Sequence, residues 1–450
     1  LKIETDKEIR RTRVVMTQLR PHIKANEENH LTIGGVDAVE LAEEFGTPLY
    51  VMDENRIRER YRQFYSAFSS LYPKVEVKYA YKANTSLAVL HILKQEGAGA
   101  DILSAGELHI SRKVGLDPEQ IIFTGNNKTD EELEMALEEG VIINLDAIHE
   151  LERLKKICEE KGKVAKISFR VNPSISLETH PHLATGLRES KFGIHEGEVI
   201  KAYSLAMDKD YFEISGIHMH IGSQITSTLP YEEAASKLLD LVGRLKNELG
   251  IDLEFVDIGG GVGIRYQAEQ PYITPEDLAG VIVPILESKI REYKLISPTL
   301  YLEPGRFIVG DSSIMLTKVS TIKQTPYKKF VGTDAGFHVL LRPAMYGAYH
   351  EVVVANKMNM KPEEKVDIAG NICEAGDILA KDRMLPRIEE GDIIALLDAG
   401  AYGIIMASQY NSRRRPAEVL VNDGKYELIR EREEFADLLA RQRVPERLLR

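Results

Sequence analysis

The sequence predicts an α/β protein: a parallel (β/α)8 TIM-like barrel followed by a C-terminal all-β domain. Three observations predict it. Short apolar runs at 75–82, 99–103, 120–123, 141–145, 164–170, 212–219, 253–258 and 298–302 read as strands, with amphipathic helical stretches between most of them. Eight strands alternating with helices suit a closed parallel barrel. An open doubly wound sheet is the alternative, because periodicity does not register closure. Past Gly310 the texture changes to short β-rich runs at 313–324, 328–333, 348–354, 365–370, 392–397, 404–408 and 417–430, separated by turn residues.

In chain order, residues 1–30 are polar and charge-rich without a clean period, and read as a partly frayed leader. A helix around Asp37–Phe45, a strand over Pro48–Met52 and a helix from Glu54 to about Ser69 follow. We place them with the barrel, which then spans 31–310, although the first of these residues can add to the β-domain at 311–450. Thr129-Asp130-Glu131-Glu132 has the pattern of a capping box. Leu238, Leu239, Leu241, Val242 and Leu245 form a helical apolar stripe within 231–248. Residues 173–195 make a long insertion after the fifth strand, and insertions of that length are usually functional.

The 450 residues are 43% hydrophobic, enough for one large core or two ordinary ones. With 58 Lys+Arg against 70 Asp+Glu the net charge is −12, which argues against a nucleic-acid or anionic-membrane partner. No apolar run approaches a membrane span, and the N-terminal residues lack the apolar core of a signal peptide. Two cysteines, Cys158 and Cys373, make no disulfide framework, so a reducing cytoplasm is the expected location.

A barrel gathers its chemistry at the C-terminal ends of its strands. Alternation along Val75–Lys82 puts Val75, Val77, Tyr79 and Tyr81 on one face and Glu76, Lys78, Ala80 and Lys82 on the other. Lys82 then ends the strand, ahead of Asn84-Thr85-Ser86, which can cap a helix over Leu87–Gln95. A partly desolvated amine there suits Schiff-base chemistry; Lys78 and Lys94 read as ordinary solvated lysines. Asp101 and Ser104-Ala105-Gly106-Glu107 close the second strand, and Ser104 with Glu107 also has capping-box spacing. Asn126-Asn127, Asn144-Asp146 and Arg170-Val171-Asn172 end the third to fifth strands. His218 and His220 share a face at the end of the sixth, with no carboxylate or cysteine beside them at metal-ligand spacing. Gly259-Gly260-Gly261 after the seventh lets backbone N–H groups approach a phosphate, and Glu303-Pro304-Gly305-Arg306 follows the eighth. A Schiff-base lysine, an anion cradle, a carboxylate for a pyridinium nitrogen and a stacking histidine together describe a pyridoxal phosphate site.

Several segments carry a family resemblance: Tyr79-Ala80-Tyr81-Lys82-Ala83-Asn84, Gly99-Ala100-Asp101 through Glu107-Leu108, His220-Ile221-Gly222-Ser223-Gln224 and Gly259-Gly260-Gly261 in the first part of the chain. Glu303-Pro304-Gly305-Arg306, Arg342-Pro343-Ala344-Met345-Tyr346, Cys373-Glu374 and Gly400-Ala401-Tyr402-Gly403 continue it. From about residue 31 to the C-terminus the chain resembles the diaminopimelate decarboxylases, of the alanine-racemase-like group of pyridoxal phosphate decarboxylases. The resemblance implies pyridoxal 5'-phosphate as cofactor, no metal, and a homodimer with shared active sites. The implied reaction is decarboxylation of meso-2,6-diaminopimelate to L-lysine and CO2, the last step of lysine biosynthesis.

It further implies that Lys82 binds the cofactor covalently, His220 stacks on its ring and Glu303 pairs with the ring nitrogen. Ser223, Gly260, Gly261, Pro304, Gly305, Arg306 and Tyr402 would hold the phosphate. Cys373, catalytic as proton donor, and Glu374 would come from the partner subunit. Arg306, Arg342, Tyr346, Glu374 and Tyr402 would hold the substrate, with Asp101, Glu107 and Arg170 in support. Phe337-His338-Val339-Leu340 and Ala375 depart from the family's pattern. The alternatives are a decarboxylase of another basic amino acid or polyamine precursor, and a non-catalytic pyridoxal phosphate-binding regulatory homologue. The latter would typically lack the lysine or the cysteine, and both are present.

Overall fold

The computed structural model describes residues 20–175 and 190–449, which group into two compact units. One unit comprises 57–265 with 269–310. Its strands are Val75–Ala80, Gly99–Ile102, Ile121–Phe123, Ile142–Leu145, Ala165–Asn172, Phe212–His218, Phe255–Asp257 and Thr299–Leu302. All pair in parallel in chain order, and the eighth returns to the first with Leu302 opposite Val77. The ring is closed through the fourth and fifth strands, where Asn144 faces Ser168. It is the closed barrel, not the open sheet.

Local chemistry accounts for the helix starts. Ser104 Oγ accepts the Glu107 N–H, Thr129 and Glu132 form a full capping box, and Thr274 with Asp277 forms another ahead of Pro275. The helix Leu229–Leu249 buries the expected stripe of Leu238, Leu239, Leu241, Val242 and Leu245. Inside the unit Phe255 stacks on Tyr301 at 4.3 Å, with Ile122 and Ile142 in the same buried cluster.

Lys78 departs from expectation. It is 1% exposed, with Nζ donating to Glu76 at 2.8 Å and lying 4.4 Å from the centroid of the Tyr301 ring. An ion pair and a ring face replace the water that the sequence reading gave it. Lys94 is exposed, as expected, and its Nζ donates to the carbonyls of Val114 and Gly115 at the end of the helix Ala105–Val114. The first strand stops at Ala80, and Tyr81–Ala83 turns in a single 3-10 loop. Lys82 therefore sits beyond the alternating face rather than on it. Ser86 holds the N-cap position of the next helix without a capping bond, and Asn84 Oδ1 instead accepts the Ser86 N–H at 2.9 Å.

The other unit comprises the described residues of 20–56, 266–268 and 311–449. Residues 31–56, expected with the barrel, belong here for a backbone reason. Leu49–Asp53 pairs antiparallel with Ser313–Gln324 and parallel with Ala417–Asn422. A three-stranded meander over 23–37 and the helix Ala38–Phe45, capped by Asp37, pack Ile23, Leu31, Ile33 and Leu41 with Leu316, Ala395 and Val419.

Of the expected leader, residues 1–19 lie outside the described residues, and residues 20–30 are structured rather than frayed. The reason is a buried ion pair between Arg20 and Asp398, with Arg20 Nε 2.9 Å from Oδ1. The sheet also contains a strand the sequence did not suggest, Ile378–Leu385, paired with Glu364–Ala369. The run 404–408 is not a strand but carries a 3-10 turn at Ile404–Met406. Of the insertion at 173–195, residues 176–189 lie outside the described residues; Ile194–His195 returns beside Val171–Asn172. Among the described residues no helix is long and apolar enough to cross a membrane.

Candidate active site

The barrel brings Lys82, Asp101, Glu107, Arg170, His218, His220 and Glu303 to the ends of its strands. Lys82 Nζ donates to Asp101 Oδ2 at 2.7 Å; the lysine side chain is 27% exposed and the aspartate wholly buried. Thr124 Oγ1 donates to the other Asp101 oxygen. Burial and the Glu303 charge raise the Asp101 carboxyl, against the pull of Lys82. Glu107 closes the helix start, with Oε2 accepting the Leu103 N–H at 2.7 Å. Burial pushes its carboxyl up to about 7.

Glu303 lies among two histidines and a second carboxylate. A fixed hydrogen-bond sequence leads to it. Ser168 Oγ donates to Asn144 Oδ1 at 2.7 Å, which turns the Asn144 amide nitrogen toward His218 Nδ1 at 3.0 Å. His218 Nδ1 is then the acceptor and Nε2 carries the proton toward Glu303 Oε2, 3.4 Å away. The other Glu303 oxygen, Oε1, is buried with no hydrogen-bond partner among the described residues. Burial alone would raise the Glu303 carboxyl, but the His218 hydrogen bond and the nearby Lys82 charge hold it down to about 2. Beside it Asp257 moves the other way, raised by burial and the Glu303 charge. Of the two, Glu303 is the ionised one.

His220 is oriented by the glycine-rich turn. The Gly260 N–H donates to its Nδ1 at 3.2 Å, and burial with Lys82 and Arg170 nearby pushes the imidazole well below its usual range. Arg170 Nη2 donates to the His220 carbonyl at 3.4 Å, and its guanidinium stands 4.6 Å from the centroid of the Phe192 ring. Gly261 has φ +98°, and a Cβ there would sit 2.2 Å from the Gly222 carbonyl oxygen, so only glycine lets the turn after the seventh strand close on the turn after the sixth. Ser223 Oγ accepts from Arg306 Nη2 at 3.0 Å. A Cβ on Gly305 would meet Ala83 and Ala80, so the Glu303–Arg306 loop packs directly under the turn that carries Lys82. His218, Asp257 and Glu303 offer ligand atoms within 4.8 Å of one another, a grouping their sequence spacing does not disclose. Both His218 nitrogens are already engaged by Asn144 and Glu303.

The remaining candidates lie in the second unit. Arg342 starts the short helix Arg342–Tyr346, buried, with Nη1 2.9 Å from His350 Nε2 and the guanidinium 5.0 Å from the Tyr266 ring centroid. Tyr346 ends that helix, half-buried. Cys373 and Glu374 are exposed on the loop between Glu364–Ala369 and Ile378–Leu385. Asp377 pins this loop, accepting the N–H groups of Phe337 and Ile372 at 2.6 and 2.7 Å. Tyr410 donates to Glu374 Oε1 at 2.7 Å and stacks on Phe337, one of the residues that depart from the family's pattern. Tyr402 has φ +56°, a left-handed backbone that tyrosine rarely adopts. Cys158 is buried, and burial pushes its thiol up to about 11, which leaves it inert. The sequence marks Asp257 as the polar end of the seventh strand, beside the glycine run, without giving it a role. Asp377, Tyr410 and His350 carried no local signal and were missed.

These residues fit pyridoxal phosphate. A buried carboxylate held by one oxygen presents a second without a partner, as a protonated ring nitrogen requires, and a neutral imidazole, a lysine amine and a glycine turn stand around it.

Comparison with known proteins agrees. Residues 54–310 match the pyridoxal-dependent decarboxylase, pyridoxal binding domain family. The chain is 52% identical to a diaminopimelate decarboxylase of Methanothermobacter thermautotrophicus, over 96% of this chain and 99% of that one. It is 47% identical to that of Archaeoglobus fulgidus, over 93% and 98%. The crystal structure of diaminopimelate decarboxylase from M. jannaschii in complex with L-lysine aligns with a TM-score of 0.89 at 42% identity, covering 95% of this chain and 99% of that one. A lysine/ornithine decarboxylase of Vibrio vulnificus, 23% identical with a TM-score of 0.73, shares the fold. The chain belongs to the diaminopimelate decarboxylase family of pyridoxal-dependent decarboxylases.

Proposed function

We propose that this enzyme decarboxylates meso-2,6-diaminopimelate to L-lysine and CO2, the last step of lysine biosynthesis, in a reducing cytoplasm, as a homodimer with shared sites. The observation that carries the cofactor part is Glu303, ionised and held by His218 through one oxygen while the other has no partner. Bound pyridoxal phosphate supplies an electron sink for the bond between Cα and the carboxylate. Lys82 would anchor it covalently; in the structure its amine is held by Asp101. Glu303 Oε1 would accept from the ring nitrogen, and His220 would cover the ring and exclude water. The Gly260–Gly261 turn, Ser223, the Pro304–Arg306 backbone and Tyr402 would hold the phosphate.

The substrate's far end carries both a carboxylate and an ammonium. Arg306 and Arg342 give forked donors to the carboxylate, helped by the Tyr346 hydroxyl, and Glu374 accepts from the ammonium. Cys373 of a second copy would supply the proton that replaces CO2 on Cα. Its exposure, with that of Glu374, supports donation to another copy. The test is CO2 release by holoenzyme given diaminopimelate, ornithine, arginine and lysine in parallel. Only diaminopimelate is expected to turn over rapidly; equal turnover of lysine or ornithine overturns the assignment.

A further inference from the structure

Among the groups around Arg342 are His350 and Tyr266, which the proposed reaction does not use. Its Nη1 lies 2.9 Å from His350 Nε2, and His350 Nδ1 lies 2.8 Å from the Leu397 carbonyl oxygen. A carbonyl can only accept, so Nδ1 carries the proton, and the neutral ring meets Arg342 with a lone pair. The imidazole is fully buried. On the guanidinium face stands Tyr266, whose ring also meets His350 edge-on at 5.8 Å and 76°. The Tyr266 carbonyl in turn accepts from Arg20 Nη2 at 3.2 Å, and Arg20 is ion-paired with Asp398, the neighbour of Leu397.

We propose that His350, with the ring of Tyr266, is a positioning residue that sets the plane of Arg342 for the substrate's distal carboxylate; this rests on the role of Arg342 given above. A guanidinium grips a carboxylate through two parallel N–H groups only when its plane is fixed. One acceptor at its edge and one ring on its face fix that plane. The chemical type of the acceptor matters. A carboxylate in place of His350 would cancel the Arg342 charge and compete with the substrate. A neutral imidazole orients the guanidinium and leaves its charge intact.

The test uses holoenzyme with His350→Asn and His350→Gln. The Asn amide nitrogen falls where Nδ1 lies and keeps the Leu397 bond, but nothing reaches Arg342. The Gln amide extends to the Nε2 position, where its oxygen can accept from Arg342. His350→Asn should raise KM for diaminopimelate about tenfold, the cost of one charge-assisted hydrogen bond. Its kcat should stay within about twofold of wild type, with unchanged cofactor absorbance and melting temperature, and His350→Gln should recover most of the loss. Tyr266→Leu, which strips the ring from the guanidinium face, should raise KM severalfold. Wild-type KM in either His350→Asn or Tyr266→Leu, or equal impairment by Asn and Gln, overturns the proposal. Arg342→Ala separates the two levels. If it raises KM while His350→Asn does not, only the positioning role falls; if it leaves KM unchanged, the role of Arg342 falls with it.

Discussion

The two units hold their candidate residues in different ways. In the barrel the groups answer one another: Asp101 holds Lys82, Gly260 holds His220, and Ser168, Asn144 and His218 hold Glu303. In the second unit Cys373 and Glu374 stand exposed on a loop that is itself pinned by Asp377 and Tyr410. The barrel is built to bind and tune a cofactor from within one chain. The second unit presents Cys373 and Glu374 on an exposed loop tied by hydrogen bonds. The proposed shared site predicts that variants in each half fail differently.

The largest effect belongs to Lys82→Ala, expected to lower kcat by at least about 10⁴-fold and to abolish borohydride-stable attachment of the cofactor. A covalent adduct surviving in that variant would break the barrel half of the contrast. Cys373→Ala should lose about 10²–10³-fold in kcat with normal cofactor absorbance. Mixed with Lys82→Ala subunits it should regain activity in verified heterodimers; no regain would show that each chain completes its own site. Arg342→Ala should lose more than about tenfold in kcat/KM for diaminopimelate, again with cofactor bound.

The smallest effect is on stability. The Glu107 carboxyl sits at about 7 against an ordinary value of 4.5. Between those two values the folded chain binds the proton that the unfolded chain releases, so stability falls as pH rises through the window, by up to about 3 kcal/mol. Glu107→Gln should therefore unfold at a higher temperature than wild type at pH 8 and show no advantage at pH 4.5. An equal advantage at both values would mean that the charge is not what costs.

The barrel was legible because each strand's apolar run is bounded by turn or capping residues, and eight such runs in order leave few topologies. The family resemblance extended this to the site. The misplacements have local causes. Alternation was carried two residues too far at Tyr81-Lys82, where the chain had already turned. Leu49–Asp53 reads as any buried strand, and nothing in its residues says that its partners are Ser313–Gln324 and Ala417–Asn422. Ile378–Leu385 was hidden by Lys381, Asp382 and Arg383 on an exposed stretch. Lys78 looked solvated because Tyr301, whose ring covers its amine, lies on another strand and meets it only through strand pairing. His350 and Asp377 each act through two hydrogen bonds to residues at irregular distances along the chain, which leave no periodic trace.

The strand Leu49–Asp53 carries one more consequence, for how the protein is made. Its flanking strands begin at Ser313 and Ala417, while the barrel's last strand ends at Leu302. On the ribosome the whole barrel is therefore available before either neighbour of Leu49–Asp53 has been synthesised. This early strand of the second unit must wait, apolar and without its two sheet neighbours, while some 250 residues fold behind it. Its exposure to misassociation is greatest in that interval. Slowing translation after residue 310 should lengthen the interval and lower the yield of folded enzyme, and moving 20–56 to the C-terminus by circular permutation should remove the wait.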